Sequence, residues 1–364
     1  MRNALLLGFL LMLIGPNLHA DTPGYRLETV AEGLDNPWGI AFLPDGELLI
    51  TERVGALRRI SSSGMVGPGL SGVPPVYYAG QGGLLDVALD PDFASNQTVY
   101  LSYAHGNGEA NATRIARARL VGQTLEGLEV LHTVAPTKDT PQHYGGALAW
   151  MPDGTLLMTT GDGFVYREAA QDQKSELGKT LRIGRDGQPP ADNPFTADPA
   201  SAAVFSYGHR NPQGIAVDSV TGAIYQHEHG PRGGDELNVL RPGANYGWPI
   251  ATFGIDYTGA RISPYQSWPG TEAPLRHWVP SIGPSGLTLY SGKLFPAWQG
   301  SLFLGALVNR EVRRLTLEGN QIIAEEALFA ELGERIRNVK MGPDGALYLV
   351  TDGPQGKIIR VLPD

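Results

Sequence analysis

One short phrase recurs along this chain and constrains its fold more than any other feature. Phe42-Leu43-Pro44-Asp45-Gly46 precedes Leu48-Leu49-Ile50-Thr51, Met151-Pro152-Asp153-Gly154 precedes Leu156-Leu157-Met158-Thr159, and Met341-Gly342-Pro343-Asp344-Gly345 precedes Leu347-Tyr348-Leu349-Val350-Thr351. Proline presets φ for the first turn position, aspartate accepts backbone hydrogen bonds and glycine tolerates positive φ, so each phrase reads as a turn between two antiparallel strands. Weaker copies stand at Asp90-Pro91-Asp92-Phe93 before Val99-Tyr100-Leu101, at Val217 to Tyr225 and at Leu294 to Leu304. Six such units, almost no amphipathic helical period, and 48 glycines with 28 prolines predict an all-β, six-bladed β-propeller of four-stranded antiparallel blades. A pair of β-sandwiches would also give short strands, but not one turn-plus-strand phrase repeated from end to end.

Residues 1–20 read as a secretory signal: Arg2, the apolar run Ala4 to Ile14, a Gly15-Pro16 break, and Ala20 before Asp21. Residues 21–364 are then expected to form a single propeller domain, periplasmic or secreted, with no stable membrane insertion. Asp186 to Ala202 and Asp256 to Arg276 read as loops between blades. The formal charge of −9 argues against nucleic acid as a partner. Cysteine is absent, so the exported fold must be held by its core, with bound metal as a further contributor.

Propellers bind ligands where loops from several blades converge, so functional residues are expected to be scattered in sequence. His143, in Gln142-His143-Tyr144-Gly145-Gly146, and Asp162, in Thr160-Gly161-Asp162-Gly163, lie at ends of strands that an antiparallel pairing brings to one face. A carboxylate fixing an imidazole tautomer suits a general base, although a loop histidine beside a turn aspartate has the same spacing. Gly208-His209-Arg210-Asn211-Pro212-Gln213-Gly214 has the donors to grip an anion. Arg335 and Arg337 alternate along an expected strand and so share a side, either as a second anion grip or as a surface ladder with Glu331 and Glu334. Glu228 to Asn238, followed by Asn245 to Pro249, is rich in glycine and carboxylates and supplies the hard oxygens that Ca²⁺ takes. Zinc is disfavoured: there are no thiolates and no close histidine pair apart from His227 and His229. Walker loops, Gly-x-Gly-x-x-Gly between strand and helix, and Gly-x-Ser-x-Gly elbows are all missing, which removes support from nucleotide, nicotinamide and serine-hydrolase chemistry.

From about Leu34 to its C-terminus the chain resembles the soluble quinoprotein glucose/aldose sugar dehydrogenase family. The resemblance rests on an ordered set: Asn36-Pro37-Trp38-Gly39, Gln81-Gly82-Gly83-Leu84-Leu85-Asp86, His143 with Asp162, Gly178-Lys179-Thr180-Leu181-Arg182, Gly208 to Gly214, Glu228 to Asn238, Asn245 to Pro249, and Arg335 to Arg337. It implies a six-bladed propeller with pyrroloquinoline quinone (PQQ) over the channel mouth and Ca²⁺ at a quinone carbonyl. His143 matches the family's base and Asp162 its orienting partner. Arg210 and Asn211 match the quinone-contacting pair, Gln81 a glutamine beside the quinone carbonyl, and Arg335 and Arg337 the arginines facing the cofactor carboxylates. The carbonyls of Gly230 and Pro231 match the ligands of the catalytic calcium, and Asp235, Glu236 and Tyr246 fall where some members bind a second, structural calcium. His229 and Ser281 also fall among the cofactor-binding positions, His229 where some members have glutamine and Ser281 where threonine is common. Val308 stands where members often carry lysine, leaving Arg310 or Asn309 to compensate, and Lys179 and Arg182 are expected to add to the positive field. The segment from Tyr257 to Val279 is more similar to the broader aldose enzymes than to the glucose-specific ones.

The resemblance implies oxidation of an aldose at C1 to a lactone. His143 takes the hydroxyl proton, hydride passes to the quinone C5, and Arg210 and Ca²⁺ stabilise the developing charge. Electrons then leave to an external acceptor, since no Cys-x-x-Cys-His haem site is present. The protein is expected to work as a monomer or homodimer. Two rival readings use the same fold: a calcium-dependent lactonase or esterase, and a non-catalytic sugar-binding propeller.

Overall fold

The computed structural model describes residues 23–364, so the expected signal lies outside the described residues. Six four-stranded antiparallel sheets follow one another around a ring. The first blade is Pro37–Phe42, Leu48–Glu52, Ala56–Ile60 and Val66–Gly69; the second is Leu84–Leu89, Thr98–Gly106, Asn111–Val121 and Thr124–Thr133. Leu148–Trp150, Leu156–Thr159, Lys179–Ile183 and Val204–Tyr207 form the third, and Pro212–Val217, Ile224–Glu228, Asp235–Leu240 and Arg276–Trp278 the fourth. The fifth is Pro284–Leu289, Leu302–Ala306, Glu311–Glu318 and Gln321–Leu328. The sixth takes Ile336–Met341, Leu347–Thr351 and Gly356–Pro363 from the end of the chain and borrows its outer strand, Tyr25–Leu34, from the beginning. All six copies of the turn phrase fall between the first and second strands of a blade, so the repeat in sequence is the repeat in space.

Burial follows from this stacking. The second strands of the first, fourth and sixth blades, Leu48–Glu52, Ile224–Glu228 and Leu347–Thr351, are buried throughout because both faces lie against neighbouring sheets. Separate apolar clusters fill the gaps between adjacent blades, for instance Leu49, Leu57, Val87 and Leu101 between the first and second, and Phe303, Val312, Val339 and Leu349 between the fifth and sixth. Nearer the axis the link is polar. Thr51 Oγ1 donates to Leu85 O (2.5 Å), Ser102 Oγ to Gly146 O (2.5 Å), Thr159 Oγ1 to Pro212 O (3.3 Å) and His227 Nε2 to Gly286 O (2.8 Å). Ser285 Oγ donates to Arg337 O (2.7 Å) and Asn338 Nδ2 to Trp38 O (2.9 Å), so every blade is tied to the next and the sixth to the first.

Antiparallel order also fixes which loops share a face. Connections from first to second strand and from third to fourth lie on one side of the ring. Those from second to third strand, and from each blade to the next, lie on the other. Two expectations are corrected here: 186–202 and 256–276 lie within the third and fourth blades, each between a third and a fourth strand, not between blades. They read as inter-blade loops because their outer strands, such as three-residue Arg276–Trp278, are too short to register as periodic segments.

Closure depends on the pairing of Tyr25–Leu34 with Gly356–Pro363, for example Leu27 with Val361 and Leu34 with Gly356. Leu34 is fully buried against the core between the sixth and first blades. Leu34→Ala should cost about 2–5 kcal/mol of stability through lost burial and the cavity left behind. A urea unfolding curve measures it, and a midpoint equal to wild type would show that closure does not depend on this residue.

Candidate active site

Every candidate ligand-facing residue lies on the face that carries the inter-blade and second-to-third-strand connections. Arg53, Asp162, Gly230, Leu307 and Asp352 follow second strands, while Gln81, His143, Arg210, Ser281 and Arg335 sit between blades.

His143 and Asp162 come together because two loops pack backbone against backbone. A Cβ on Gly161 would lie 2.2 Å from His143 O, and one on Gly145, at φ +65°, 2.6 Å from Thr159 O, so glycine is required at both positions. His143 itself has φ 51° and Phe164 φ 73°, left-handed values that the surrounding contacts must hold. His143 Nδ1–H donates to Asp162 Oδ1 at 2.6 Å, which leaves Nε2 as the lone-pair acceptor. Asp162 also receives Phe164 N–H (2.8 Å) on Oδ1 and Trp248 Nε1–H (2.8 Å) on Oδ2. Burial pushes the imidazole pKa below its ordinary 6.5; the Asp162 bond and charge oppose this, and Arg210 and Lys138 add to the lowering. Burial alone would raise Asp162, but the His143 bond, the positive charges facing it and the Phe164 N–H outweigh that and hold it low. The pair is a neutral imidazole backed by a carboxylate, an arrangement with the chemistry a general base requires.

Arg210 stands across from this base. Its N–H donates to Glu228 Oε2 (2.5 Å), and Nη1 donates to His229 O (3.1 Å) and Gly230 O (2.6 Å). Its guanidinium lies 5.4 Å from the Trp248 ring and 5.9 Å from that of Tyr257. Tyr257 stacks on Phe164 (6.3 Å), whose ring meets His143 edge to face (5.1 Å). Half-exposed aromatic rings therefore wall the space between base and guanidinium.

Two cavities meet beside these residues, sharing His229, Leu307 and Arg335. One, of about 270 Å³, is lined by Gln81, Asn211, Arg53, Arg337 and Asp352 among others. The other, of about 720 Å³, includes Gly230, Pro231, Tyr257, Ser281 and Val308. Gln81 Oε1 accepts the His143 N–H (2.9 Å), so what this side chain can offer a ligand is its –NH₂. His229 donates Nε2–H to Pro284 O (2.8 Å), and burial lowers its pKa to about 4, so it is neutral with Nδ1 bare. Arg335 Nε bonds Asp352 Oδ2 (2.9 Å) and Arg337 Nη2 bonds Asp352 Oδ1 (2.9 Å). The arginines thus share Asp352, and the ladder with Glu331 and Glu334 is not formed: Glu331 accepts from Tyr25 and Glu334 from Lys357.

Other expected groups are placed elsewhere. Lys179 is fully buried and donates to Ala169 O, Ala170 O and Leu177 O, while Arg182 pairs with Asp153 and Asp192. Neither adds to the field in the cleft, because each satisfies groups of its own blade. Arg310 Nη1 donates to Gly333 O and Asn309 Nδ2 to Glu311, and neither lines the two cavities. Asp235 accepts Gly230 N–H and, on Oδ2, the Ser281 hydroxyl and the N–H groups of Ile282 and Gly283. Tyr246 Oη donates to Val239 O and accepts from Arg241 N–H. Both side chains are thereby committed within the protein, and Ser281 serves Asp235. Glu236 keeps partial exposure beside Glu228, and burial followed by that like charge raises its pKa well above the carboxylate range. Among the described residues no three His, Cys, Asp or Glu side chains are grouped to hold a metal ion.

Trp248, Phe164 and Lys138 were missed from sequence. The first fixes Asp162. Lys138, behind the base, bonds Asn111 Oδ1 (2.9 Å) and Thr140 O (2.5 Å), and burial lowers its pKa to about 7. Asn245-Tyr246-Gly247-Trp248-Pro249 was a visible signal for Trp248, but its contact with Asp162 crosses 86 residues and has no local signature.

The model for the family described as "Glucose / Sorbosone dehydrogenase" matches residues 34–360. The chain belongs to that family. Its membership makes it an oxidoreductase, and its relatives agree in fold and length. It is 39% identical to aldose sugar dehydrogenase YliI of Escherichia coli, over 97% of each chain. A crystal structure of a glucose dehydrogenase superposes with TM-score 0.90 at 46% identity, over 92% of this chain and 99% of the other. The PQQ-bound aldose sugar dehydrogenase of Streptomyces coelicolor gives 0.76 at 32% identity, over 93% and 100%. Among the described residues no helix is long and apolar enough to cross a membrane.

The His143 pair sets a pH expectation. A base works only when neutral, and a lowered pKa keeps His143 neutral further into acid, so the acid limb of kcat/KM should lie below pH 6.5. Asp162→Asn removes the interactions that raise this pKa, moving the limb lower still, and loosens the tautomer, with kcat falling about 10²–10⁴-fold. A pH–rate profile reads both effects; an unchanged profile would remove His143 as the base.

Proposed function

We propose that this family member oxidises aldose sugars at C1 to lactones with PQQ and Ca²⁺ bound in the cleft. The observation that carries the reading is the pairing of a neutral, carboxylate-backed imidazole with a cavity whose ionised lining is three guanidiniums and one carboxylate. That excess of positive charge fits a planar tricarboxylate. Arg335 and Arg337 would face its carboxylates, with Gln81, Asn211, Arg210 and His229 along the ring system and Ser281 supporting through Asp235. For Ca²⁺ the Arg210 end offers the main-chain carbonyls of Gly230 and Pro231 as hard oxygen donors, the Gly230 oxygen also accepting Arg210 Nη1 (2.6 Å), and the remaining ligands would come from quinone and water. A second calcium on Asp235, Glu236 and Tyr246 does not fit, because Asp235 and Tyr246 are engaged elsewhere.

When bound, the metal-polarised quinone supplies a two-electron acceptor for the hydride leaving C1. His143 Nε2 takes the proton of the C1 hydroxyl. Asp162, held by Trp248 and Phe164 N–H, keeps Nε2 bare and stabilises the imidazolium that forms. Arg210, fixed by two carbonyls and Glu228, presents positive charge where negative charge develops. The half-exposed Phe164 and Tyr257 offer apolar faces to the C–H side of a sugar ring. Export to the periplasm or beyond, with residues 21–364 as one catalytic domain, is supported by the signal-like residues 1–20. Reduced quinone would be reoxidised by an external acceptor, the protein acting as a monomer or homodimer.

Dye reduction with a panel of aldoses, with and without added PQQ and Ca²⁺, tests the reading. Activity is expected only with both additions, and His143→Ala should lower kcat about 10²–10⁴-fold while quinone stays bound. Absence of sugar-dependent dye reduction, with hydrolysis of lactones in its place, would overturn it.

A further inference from the structure

Val308 lines the larger cavity without supplying a charge, and neither Arg310 nor Asn309 lines either cavity. Arg53 does line the smaller one, from the connection after the second strand of the first blade, between Gln81 on one side and Arg337 on the other. Arg335 and Arg337 are both tied to Asp352, whose two oxygens they share. Among the described residues Arg53 has no carboxylate partner: Nη2 donates to Gly80 O at 3.0 Å, and the guanidinium lies 5.6 Å from the centre of the Tyr78 ring. Its Nε is buried without a hydrogen-bond partner. A guanidinium without a carboxylate partner can pair its terminal N–H groups with an anion entering the cavity. The backbone here is fixed, since Arg53 N–H donates to Asn36 O and Arg53 O accepts from Leu84 N–H. The side chain itself is held at the cavity rim by the Gly80 carbonyl and the Tyr78 ring.

Resting on the quinone reading above, we propose that Arg53 is a cofactor-binding residue that supplies the third cation, gripping a ligand carboxylate from the side of the ring opposite Val308. Arg335 and Arg337 both bond Asp352, so of the three guanidiniums Arg53 is the one with no carboxylate partner among the described residues. Arg53 and Arg337 oppose each other electrostatically, a repulsion that a shared anion between them would relieve.

Calorimetric titration of PQQ, with Ca²⁺ present, into the full chain and into Arg53→Gln and Arg53→Lys tests this. Loss of one charge-assisted bond should weaken quinone binding about 10- to 100-fold in Arg53→Gln, with partial recovery in Arg53→Lys. The quinone trimethyl ester, which lacks the anionic groups, should bind wild type and Arg53→Gln alike, and the quinone-free proteins should melt together. A quinone Kd within twofold of wild type would overturn the inference. So would a fall in quinone-free melting temperature that accounts for the lost affinity, since Arg53 would then merely brace Gly80. If wild type binds no quinone, benzene-1,3,5-tricarboxylate separates the two ideas. Its Arg53-dependent binding would keep the anion grip and sink the quinone reading, while no binding would sink both.

Discussion

The structure depends on a ring of polar links near its axis, in which a buried hydroxyl, amide or imidazole of one blade donates to a main-chain carbonyl of the next. Thr51, Ser102, Thr159, His227, Ser285 and Asn338 make these links in succession. Apolar packing between sheets is strong but lets one twisted sheet slide or tilt on another. A hydrogen bond of fixed length to a particular carbonyl does not, and its net contribution of about 1 kcal/mol matters less than the register it imposes. The cleft is assembled from connections of every blade but the second's own hairpins, so an error in the angle of a blade would be passed directly to the side chains that line it.

The two faces of the ring divide the work. The Pro-Asp-Gly turns are short and hydrogen-bonded within themselves, as in Asp45 Oδ1 accepting Glu47 N–H and Asp153 Oδ1 accepting Thr155 N–H. On the opposite face the connections are longer, carry left-handed residues such as His143 and Phe164, and satisfy one another across blades. Asp162 illustrates this: its partners come from the preceding inter-blade loop, its own turn and Trp248 of the long 241–275 connection, which starts from the Pro-Asp-Gly face and reaches across to this one. The His143–Asp162 pair is positioned by three segments that share no local sequence pattern.

That division also explains what was legible beforehand. The repeated turn phrase disclosed the blade number because its chemistry is local: proline, aspartate and glycine act within four residues. His143 and Asp162 could be paired on paper, since two short strands and one hairpin separate them. The arginines were harder. Alternation correctly put Arg335 and Arg337 on one side, but their shared partner, Asp352, sits on a loop whose approach only the sheet register fixes. Lys179 was misread as a cleft cation because nothing in Gly178-Lys179-Thr180 announces that three carbonyls will enclose the ammonium. Asp235 likewise looked like a metal ligand, whereas its carboxylate is the knot that ties the Gly230 loop to the start of the fifth blade.

The outer strand of the sixth blade comes from Tyr25–Leu34, while the other three strands lie more than 300 residues further along. Such a pairing has about the largest sequence separation the chain permits, and long-range pairing is slow to form. A ribosome or a membrane pore that delivers the N-terminus first must therefore hold that strand unmated until the last residues arrive. Arg335, Arg337 and Asp352 arrive with those same residues. No partly delivered chain can hold the arginine-lined cavity, so that cavity and ring closure are completed in a single late event. A truncated product would present an open sheet edge, a template for aggregation, in place of a half-active enzyme.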